Sequence, residues 1–108
     1  FMSYPYGAKV DMSDFTSNVG GGGVNTAINF ANLGFDTSAI FKIGDDVFSE
    51  GILNSFKSTK VNLDNIVQDK NLLTGFSIIL VSFQGDRTVI ANRGANALLT
   101  LDDIALFL

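Results

Sequence analysis

The 108-residue chain has no cysteine and no histidine. It can therefore form no disulfide, no zinc site of the Cys/His kind, and no Ser-His-Asp or Cys-His catalytic group. Positive charge is also scarce, since seven Lys and Arg stand against eleven Asp and Glu and give a formal net charge of −4. A nucleic-acid-binding surface needs clustered positive charge, and these cations are scattered, so we expect no nucleic-acid partner.

Long apolar runs are missing as well. The longest, at residues 78–81 and 104–108, are far shorter than the roughly 20 residues that span a bilayer. The amino-terminal residues also lack the basic and apolar regions of a secretory signal. We therefore expect a soluble, cytoplasmic protein with no membrane partner. The bare hydrophobic ending of the chain, LDDIALFL, predicts that the chain is truncated.

The middle of the chain predicts two helices and a buried strand. Helical spacing of apolar residues continues to about residue 33, and Gly34 can take the left-handed conformation that ends a helix. Residues 37–43 form a short apolar, β-prone run, and the acidic residues after it can cap a helix over about 47–57. The order helix, strand, helix is typical of α/β proteins with parallel strands.

Antiparallel strands are predicted on both sides of this segment. Apolar and polar residues alternate over about 8–19, which predicts two short strands. Residues 76–83 and 87–92 are strand candidates separated by a Gly-containing turn, so they predict a hairpin. The expected architecture is a parallel α/β core segment, about residues 20–66, with an antiparallel β lid from about 8–19 and 74–93.

Four consecutive glycines at residues 20–23 are the most informative local feature. Backbone without Cβ can approach a ligand closely, and the following helix offers unpaired N–H groups. A P-loop is excluded because the chain has no Gly-Lys, and the dinucleotide fingerprint lacks its third glycine at Asn25 or Thr26. A polyhydroxylated ligand, held by the loop amides and the Asn25 amide, fits better. The alternative is a flexible turn in which Asn25 only caps the helix.

Other polar residues stand where α/β proteins place ligand groups. Asp45 and Asp46 follow the predicted buried strand, although helix capping is the favoured interpretation of both. Arg93 follows the hairpin at a glycine-broken turn, together with Asn96. It could meet a hydroxyl or a phosphate, or equally remain a solvated cation.

Several motifs together resemble one known family. The stretch GGVNTA, followed at fixed spacings by Gly34 and Gly44, resembles the amino-terminal signature of the ribokinase-like (PfkB) carbohydrate kinases. Further resemblance, from about residue 7 to residue 103, lies in IGDDVFSEGI (with a slight departure at SEG), TGFSIILV, GDRTVI and RGANALLT. The resemblance implies transfer of the γ-phosphoryl group of ATP, with Mg²⁺, to a hydroxymethyl group of a sugar or related small alcohol.

The same resemblance implies roles for particular residues. The sugar hydroxyls would be held by Gly20, Gly21, Gly22 and Asn25, with Arg93 as the next candidate contact. Some relatives carry Lys at the position of Gly22, so one contact is absent here. The β lid would close over the sugar and exclude water. In many relatives the lid also contacts a second copy, which implies a homodimer.

The resemblance further implies parts that this sequence does not contain. Family members normally begin with a strand bearing a sugar-binding Asp and carry the catalytic base in a carboxyl-terminal Gly-Ala-Gly-Asp motif. ATP and Mg²⁺ would be bound mainly by that missing half. We therefore expect one partial domain over residues 1–108, with no catalytic residue of its own and no activity alone. The alternatives are a nucleoside kinase of the same fold, a non-catalytic sugar-binding or dimerisation module, and an independent nucleotide-binding domain.

Overall fold

The computed structural model of the chain describes residues 3–107. Along this part of the chain the regular elements are α1 (Gly22–Asn32), β1 (Lys42–Ile43), α2 (Val47–Phe56), β2 (Val67–Gln68), β3 (Phe76–Val81), β4 (Arg87–Asn92) and α3 (Leu101–Ile104). Short 3-10 helices cover Gly94–Leu98 and Ala105–Phe107. Among residues 3–107, no helix has both the length and the apolar character that crossing a bilayer requires.

Helix α1 begins inside the glycine run. Four successive glycines disfavour regular structure, but Gly22 and Gly23 already form the first turn of α1. This is possible because the first helical residues need no intrahelical acceptor for their N–H groups. The predicted end is confirmed, since Gly34 has φ 93° and its N–H donates to the Ala31 carbonyl at 3.0 Å.

The predicted parallel pairing is confirmed, although the ladder is short. Strand β1 pairs with β2 in parallel, and an isolated parallel bridge joins Ser38 to Asn62. The predicted strand over 37–43 is therefore wrong in length, because only its last two residues form a ladder. The partner segment turns between these two pairings, where the Ile66 N–H donates to the Leu63 carbonyl, and this turn interrupts the ladder.

A small apolar core lies between the two long helices and this sheet. Its buried members are Ala27, Ala31, Ala39, Phe56 and Val61. The ring of Phe56 stacks on that of Phe41 with centroids 5.8 Å apart. Helix α2 therefore packs against this core through Phe56 in its last turn.

The predicted hairpin is confirmed by β3 and β4, which we call the lid hairpin (residues 76–92). Its antiparallel register runs from Phe76 opposite Asn92 to Val81 opposite Arg87. Strand β3 ends two residues before the predicted end, because the Ser82 N–H donates to the Asp86 carbonyl at 2.8 Å and closes the turn. Both faces of the lid hairpin remain largely exposed.

The predicted lid strands over residues 8–19 are wrong. The structure gives this whole segment no strand, and nearly all of its residues are exposed. Alternating side chains favour a strand only where a neighbouring strand completes the hydrogen bonds and one face is covered. Neither condition holds here within residues 3–107, so apolar side chains such as Val10, Met12 and Phe15 stay in solvent.

Candidate functional site

The glycine run and Asn25 form one exposed surface at the start of α1. Gly21 precedes the helix with φ 92° and no side chain caps this end. The Asn25 N–H donates to the Gly21 carbonyl at 3.0 Å, which leaves the amides before it without an intrahelical acceptor. Around Gly20, Gly21 and Gly22, no atom lies within 4 Å of where a Cβ would stand. A ligand can therefore approach this backbone directly.

Asn25 lies in the first turn with its side chain exposed. Within residues 3–107 its amide makes no hydrogen bond, and the interpretation of Asn25 as a helix cap is therefore wrong. The surface combines unpaired backbone donors, the positive end of a helix dipole and a free amide with donors and an acceptor. Such a set can bind hydroxyl groups of a neutral polar ligand.

A cleft of about 440 Å³ runs beside this surface, between α1 and the strand segment 37–41. Its floor includes Gly22, Gly23 and Ala27 of the helix. Asn25 is not among its lining residues, and the lining is mostly apolar. The cleft therefore meets the glycine run at Gly22 and Gly23 but does not reach Asn25.

The favoured capping interpretation is confirmed for Asp46. Its carboxylate accepts from the Ser49 N–H and from the Thr74 N–H, both at 2.9 Å. Burial of this carboxylate acts to raise its pKa, but these amide hydrogen bonds together outweigh burial and lower the pKa of Asp46. The Asp46 carboxylate is thus already hydrogen-bonded within the protein. The neighbouring Asp45 is exposed and forms no ion pair within the described part of the chain.

Arg93 lies at the base of the lid hairpin, immediately before the 3-10 helix that starts at Gly94. Its side chain is exposed and forms no hydrogen bond or ion pair with residues 3–107. Its carbonyl accepts from the Asn96 N–H at 3.0 Å. No contact brings Arg93 to the glycine run, so its role as a ligand contact stays a prediction.

Two residues that the sequence analysis did not single out organise the surroundings of the site. Thr74 is almost fully buried, and its hydroxyl accepts from the Gly44 N–H at 2.9 Å. Lys42 is the second, donating to the Leu98 carbonyl at 3.1 Å and to Asp103 at 2.9 Å. The hydrogen bond from Lys42, helped by the Thr100 amide, lowers the pKa of Asp103. A lysine inside an apolar β-prone run was the available signal for Lys42, and for Thr74 the signal was its place at the start of the motif TGFSIILV.

Comparison with known proteins gives these features a context. The family model described as pfkB family carbohydrate kinase matches residues 2–107. The chain belongs to this family. The ribokinase of Staphylococcus aureus (strain COL) is 35% identical over 85 residues, which are 79% of this chain and 28% of that protein. The chain thus spans less than a third of this curated relative of the carbohydrate kinase family.

Solved structures agree with the family and its α/β fold. The crystal structure of Sa239 superposes with a TM-score of 0.83 at 30% identity, over 98% of this chain and 35% of that one. Arabidopsis thaliana ribokinase, solved with ribose and ATP, superposes with a TM-score of 0.80 at 24% identity, over 85% of this chain and 30% of its own. At that identity the second likeness shows the fold alone. The expected ribokinase-like α/β fragment with an antiparallel hairpin is confirmed.

Proposed function

We propose that the protein containing this chain phosphorylates a sugar at a hydroxymethyl group, and that residues 1–108 supply the sugar-binding loop and the lid. The observation that carries this proposal is the exposed surface of Gly20, Gly21, Gly22 and the free Asn25 amide. Membership in the carbohydrate kinase family supports it, as does the likeness to the ribokinase of Staphylococcus aureus. Arg93 is the further candidate contact, because it stands where the lid hairpin returns to the core.

ATP is the proposed phosphoryl donor, with Mg²⁺ as its partner. The A. thaliana ribokinase structure contains ATP, and a related ribokinase from Cryptococcus neoformans was solved with ADP. Within residues 3–107 no group of three or more acidic side chains could hold a metal ion. Since the chain spans only 28% of the S. aureus ribokinase, we assign ATP, Mg²⁺ and the catalytic base to polypeptide outside this segment. On that assignment, residues 1–108 alone form a partial domain without kinase activity. We place the intact enzyme in the cytoplasm.

The exposed lid hairpin supports a homodimer as part of this proposal. Ile79 and Val89 lie directly opposite each other in the register and therefore share one face. Each is about half exposed, at 53% and 52%. Sheets that expose such a face, and an unpaired edge, commonly associate with another chain.

One observation weighs against the nucleoside alternative. A nucleobase would need an apolar surface on the lid, and the aromatic side chains to consider for it are Phe15 and Phe76. The ring of Phe76 is already stacked on that of Phe48, with centroids 5.0 Å apart. Phe15 remains exposed but lies in a segment without regular structure. A sugar is therefore the better substrate class.

The test uses the intact protein and measures ADP release from Mg-ATP with ribose, fructose, 2-keto-3-deoxygluconate and adenosine. We expect turnover with one of the sugars. Asn25→Ala should lower kcat/KM for that sugar about 10- to 100-fold, the usual effect of losing a hydrogen bond to a ligand. The control is Asn29→Ala, one turn further along α1, which should leave kcat/KM unchanged.

The outcomes separate the candidate functions. Equal effects of Asn25→Ala and Asn29→Ala would contradict the assigned sugar site. Turnover of adenosine alone would support the nucleoside kinase. Sugar binding by calorimetry, with no ADP released, would support a non-catalytic sugar-binding module.

A further inference from the structure

One buried charge lies outside the proposed binding surface. Lys42 belongs to β1, and its side chain is only 10% exposed. Lysine is rarely buried unless its ammonium is paired, because taking the charge out of water is unfavourable. The Lys42 ammonium donates to the Leu98 carbonyl and to the Asp103 carboxylate, which lie 56 and 61 residues further along the chain. A distant segment is therefore tied to β1 through this one side chain.

The tied segment consists of the 3-10 helix Gly94–Leu98 and the start of α3. Leu98 is the last residue of the 3-10 helix, and carbonyls at the end of a helix need donors from outside it. Lys42 supplies such a donor. Asp103 also accepts from the Thr100 N–H at 2.9 Å and so caps α3. Lys42 thus holds the end of one helix and the cap of the next.

The first turn of the 3-10 helix is held separately. The Ala95 N–H donates to the Leu73 carbonyl at 2.7 Å, and Ala95 has no exposed surface. The two backbones are in contact here, since a Cβ on Gly94 would overlap the Leu73 carbonyl. The helix is therefore anchored at both ends, by Leu73 near its start and by Lys42 at its last residue.

The residues that lead into β3 pack closely on the end of β1. A Cβ on Gly44 would overlap the Leu72 carbonyl, and the Thr74 hydroxyl accepts from the Gly44 N–H at 2.9 Å. A Cβ on Gly75 would overlap the Asn96 side chain. Both anchors of the 3-10 helix thus belong to segments that contact each other.

Arg93 is the residue immediately before this helix. Its carbonyl accepts from the Asn96 N–H at 3.0 Å, so its backbone is bound into the first turn. Its side chain is exposed and forms no hydrogen bond or ion pair with residues 3–107. The position of the guanidinium therefore depends on the backbone of the 3-10 helix.

We propose that Lys42 is a positioning residue for Arg93. By holding the last residue of the 3-10 helix against β1, Lys42 sets where the Arg93 guanidinium stands to meet a sugar hydroxyl. A charged hydrogen bond suits this role because its geometry is directional, whereas apolar packing is not. The link to sugar binding rests on the proposed function; the anchoring of the helix does not.

The test is a double-variant cycle in the intact protein, using whichever of ribose, fructose and 2-keto-3-deoxygluconate it turns over. Lys42→Met should raise the KM for that sugar about fivefold and leave kcat within about twofold, because it displaces a binding residue and no reacting group. Arg93→Ala should raise KM about tenfold. The double variant should have the KM of Arg93→Ala, since Lys42 acts through Arg93.

Two further variants separate positioning from stability. Lys42→Arg keeps a charged donor and should restore the parent KM, and Lys57→Met, which removes an exposed lysine after α2, should leave KM unchanged. A purely structural role would lower the amount of folded enzyme, and so the apparent kcat, without changing KM. That result would overturn the proposal, as would KM effects that multiply in the double variant or an unchanged KM in Arg93→Ala.

Amide hydrogen exchange tests the anchor without any sugar. The Ala95 and Asn96 N–H groups should exchange about tenfold faster in Lys42→Met, while the amides of α1 keep their rates. Unchanged exchange at both residues would overturn the proposal. If Lys42→Met fails to fold by circular dichroism, Lys42→Gln, whose neutral side chain is shorter, replaces it in both measurements with the same expectations.

Failure of the proposed function gives a different result. A protein that phosphorylates none of the sugars would overturn that function. The exchange rates of the 3-10 helix amides would still decide whether Lys42 anchors the residues around Arg93.

Discussion

Lys42 is buried, although lysine side chains are ordinarily exposed. Its side chain is only 10% exposed, and it is held by the Asp103 carboxylate and the Leu98 carbonyl. Removing the ammonium in Lys42→Met takes the hydrogen-bond donor from the Leu98 carbonyl and the ion-pair partner from Asp103, whose carboxylate keeps only its bonds from Thr100. We expect a fall of several degrees in Tm by differential scanning calorimetry. The control is Lys9→Met, in the exposed amino-terminal segment, which should leave Tm unchanged; equal Tm values in the two variants would contradict the prediction.

Acidification should destabilise the fold by protonating two carboxylates, those of Asp46 and Asp103. Hydrogen bonds lower the pKa of Asp46 against the opposing effect of burial, and the Lys42 hydrogen bond lowers the pKa of Asp103. Both carboxylates therefore bind protons less readily in the folded state than in the unfolded one. Their stabilising contribution is present above the ordinary carboxyl pKa of about 4 and is lost as pH falls through the lower folded-state values.

The direction of this change in stability with pH can be checked by urea unfolding between pH 6 and pH 3. The free energy of unfolding should fall with acidification, and it should fall less steeply in Asp46→Asn, which has no carboxylate to protonate. The exposed variant Asp86→Asn is the control and should keep the parent slope. An equal slope in Asp46→Asn and the parent protein would show that Asp46 does not contribute.

At the residue scale, the sequence could predict what depends on local spacing. The glycine run, the exposed Asn25 and the capping role of Asp46 all follow from positions close together in the chain. The partners of Thr74 and Lys42 could not be predicted, because Gly44 is 30 residues from Thr74 and Asp103 is 61 from Lys42. No local pattern encodes contacts at such separations.

At the element scale, the lid hairpin depends on one aromatic stack. Phe48 of α2 and Phe76 of β3 lie with ring planes 15° apart, and such pairs contribute about 0.5–1.5 kcal/mol beyond the area they bury. Phe48→Ala should therefore increase hydrogen exchange of the β3 amides several-fold while the α1 amides keep their rates. Phe15→Ala, which removes an exposed ring, is the control. Unchanged β3 exchange in Phe48→Ala would show that the stack does not hold the hairpin.

Helices and the hairpin were predictable because their bonds are local. Gly34 ends α1 and a glycine turn joins β3 to β4, as the sequence indicates. The strands expected over residues 8–19 were not formed, since a strand needs a partner whose position the sequence does not specify. The parallel direction of the β1–β2 pair was predictable. The turn between Leu63 and Ile66, which shortens this ladder, was not.

At the scale of the whole molecule, the surface is too large for an isolated globular chain of this size. The accessible area is 8569 Å², whereas about 5,800 Å² is usual at this mass. The radius of gyration is 16.7 Å, against about 13 Å expected. Large apolar side chains such as Met12, Phe15 and Val81 are more than half exposed, and we expect them to be covered by further polypeptide or by a second copy.

The proposed lid-mediated dimer is tested by sedimentation velocity of the intact protein. Ile79→Lys places a charge on the exposed face of the lid hairpin. It should lower the association constant of the dimer at least tenfold. Met12→Lys adds the same charge to the exposed amino-terminal segment and should leave it unchanged. A dimer unaffected by Ile79→Lys would place the interface elsewhere.

The backbone passes so close to its neighbours at Gly44, Gly75 and Gly94 that a Cβ there would overlap a carbonyl or an amide side chain, and this limits the mutations that the gene can tolerate. Every codon change that replaces glycine adds a Cβ, so each missense variant at these three positions must displace backbone or an amide side chain. Around Gly20 and Gly22 the space is open, and variants there can accumulate as folded protein. A deep mutational scan scored separately for abundance and for growth on a sugar would thus divide the glycines into those that selection keeps for folding and those it keeps for binding.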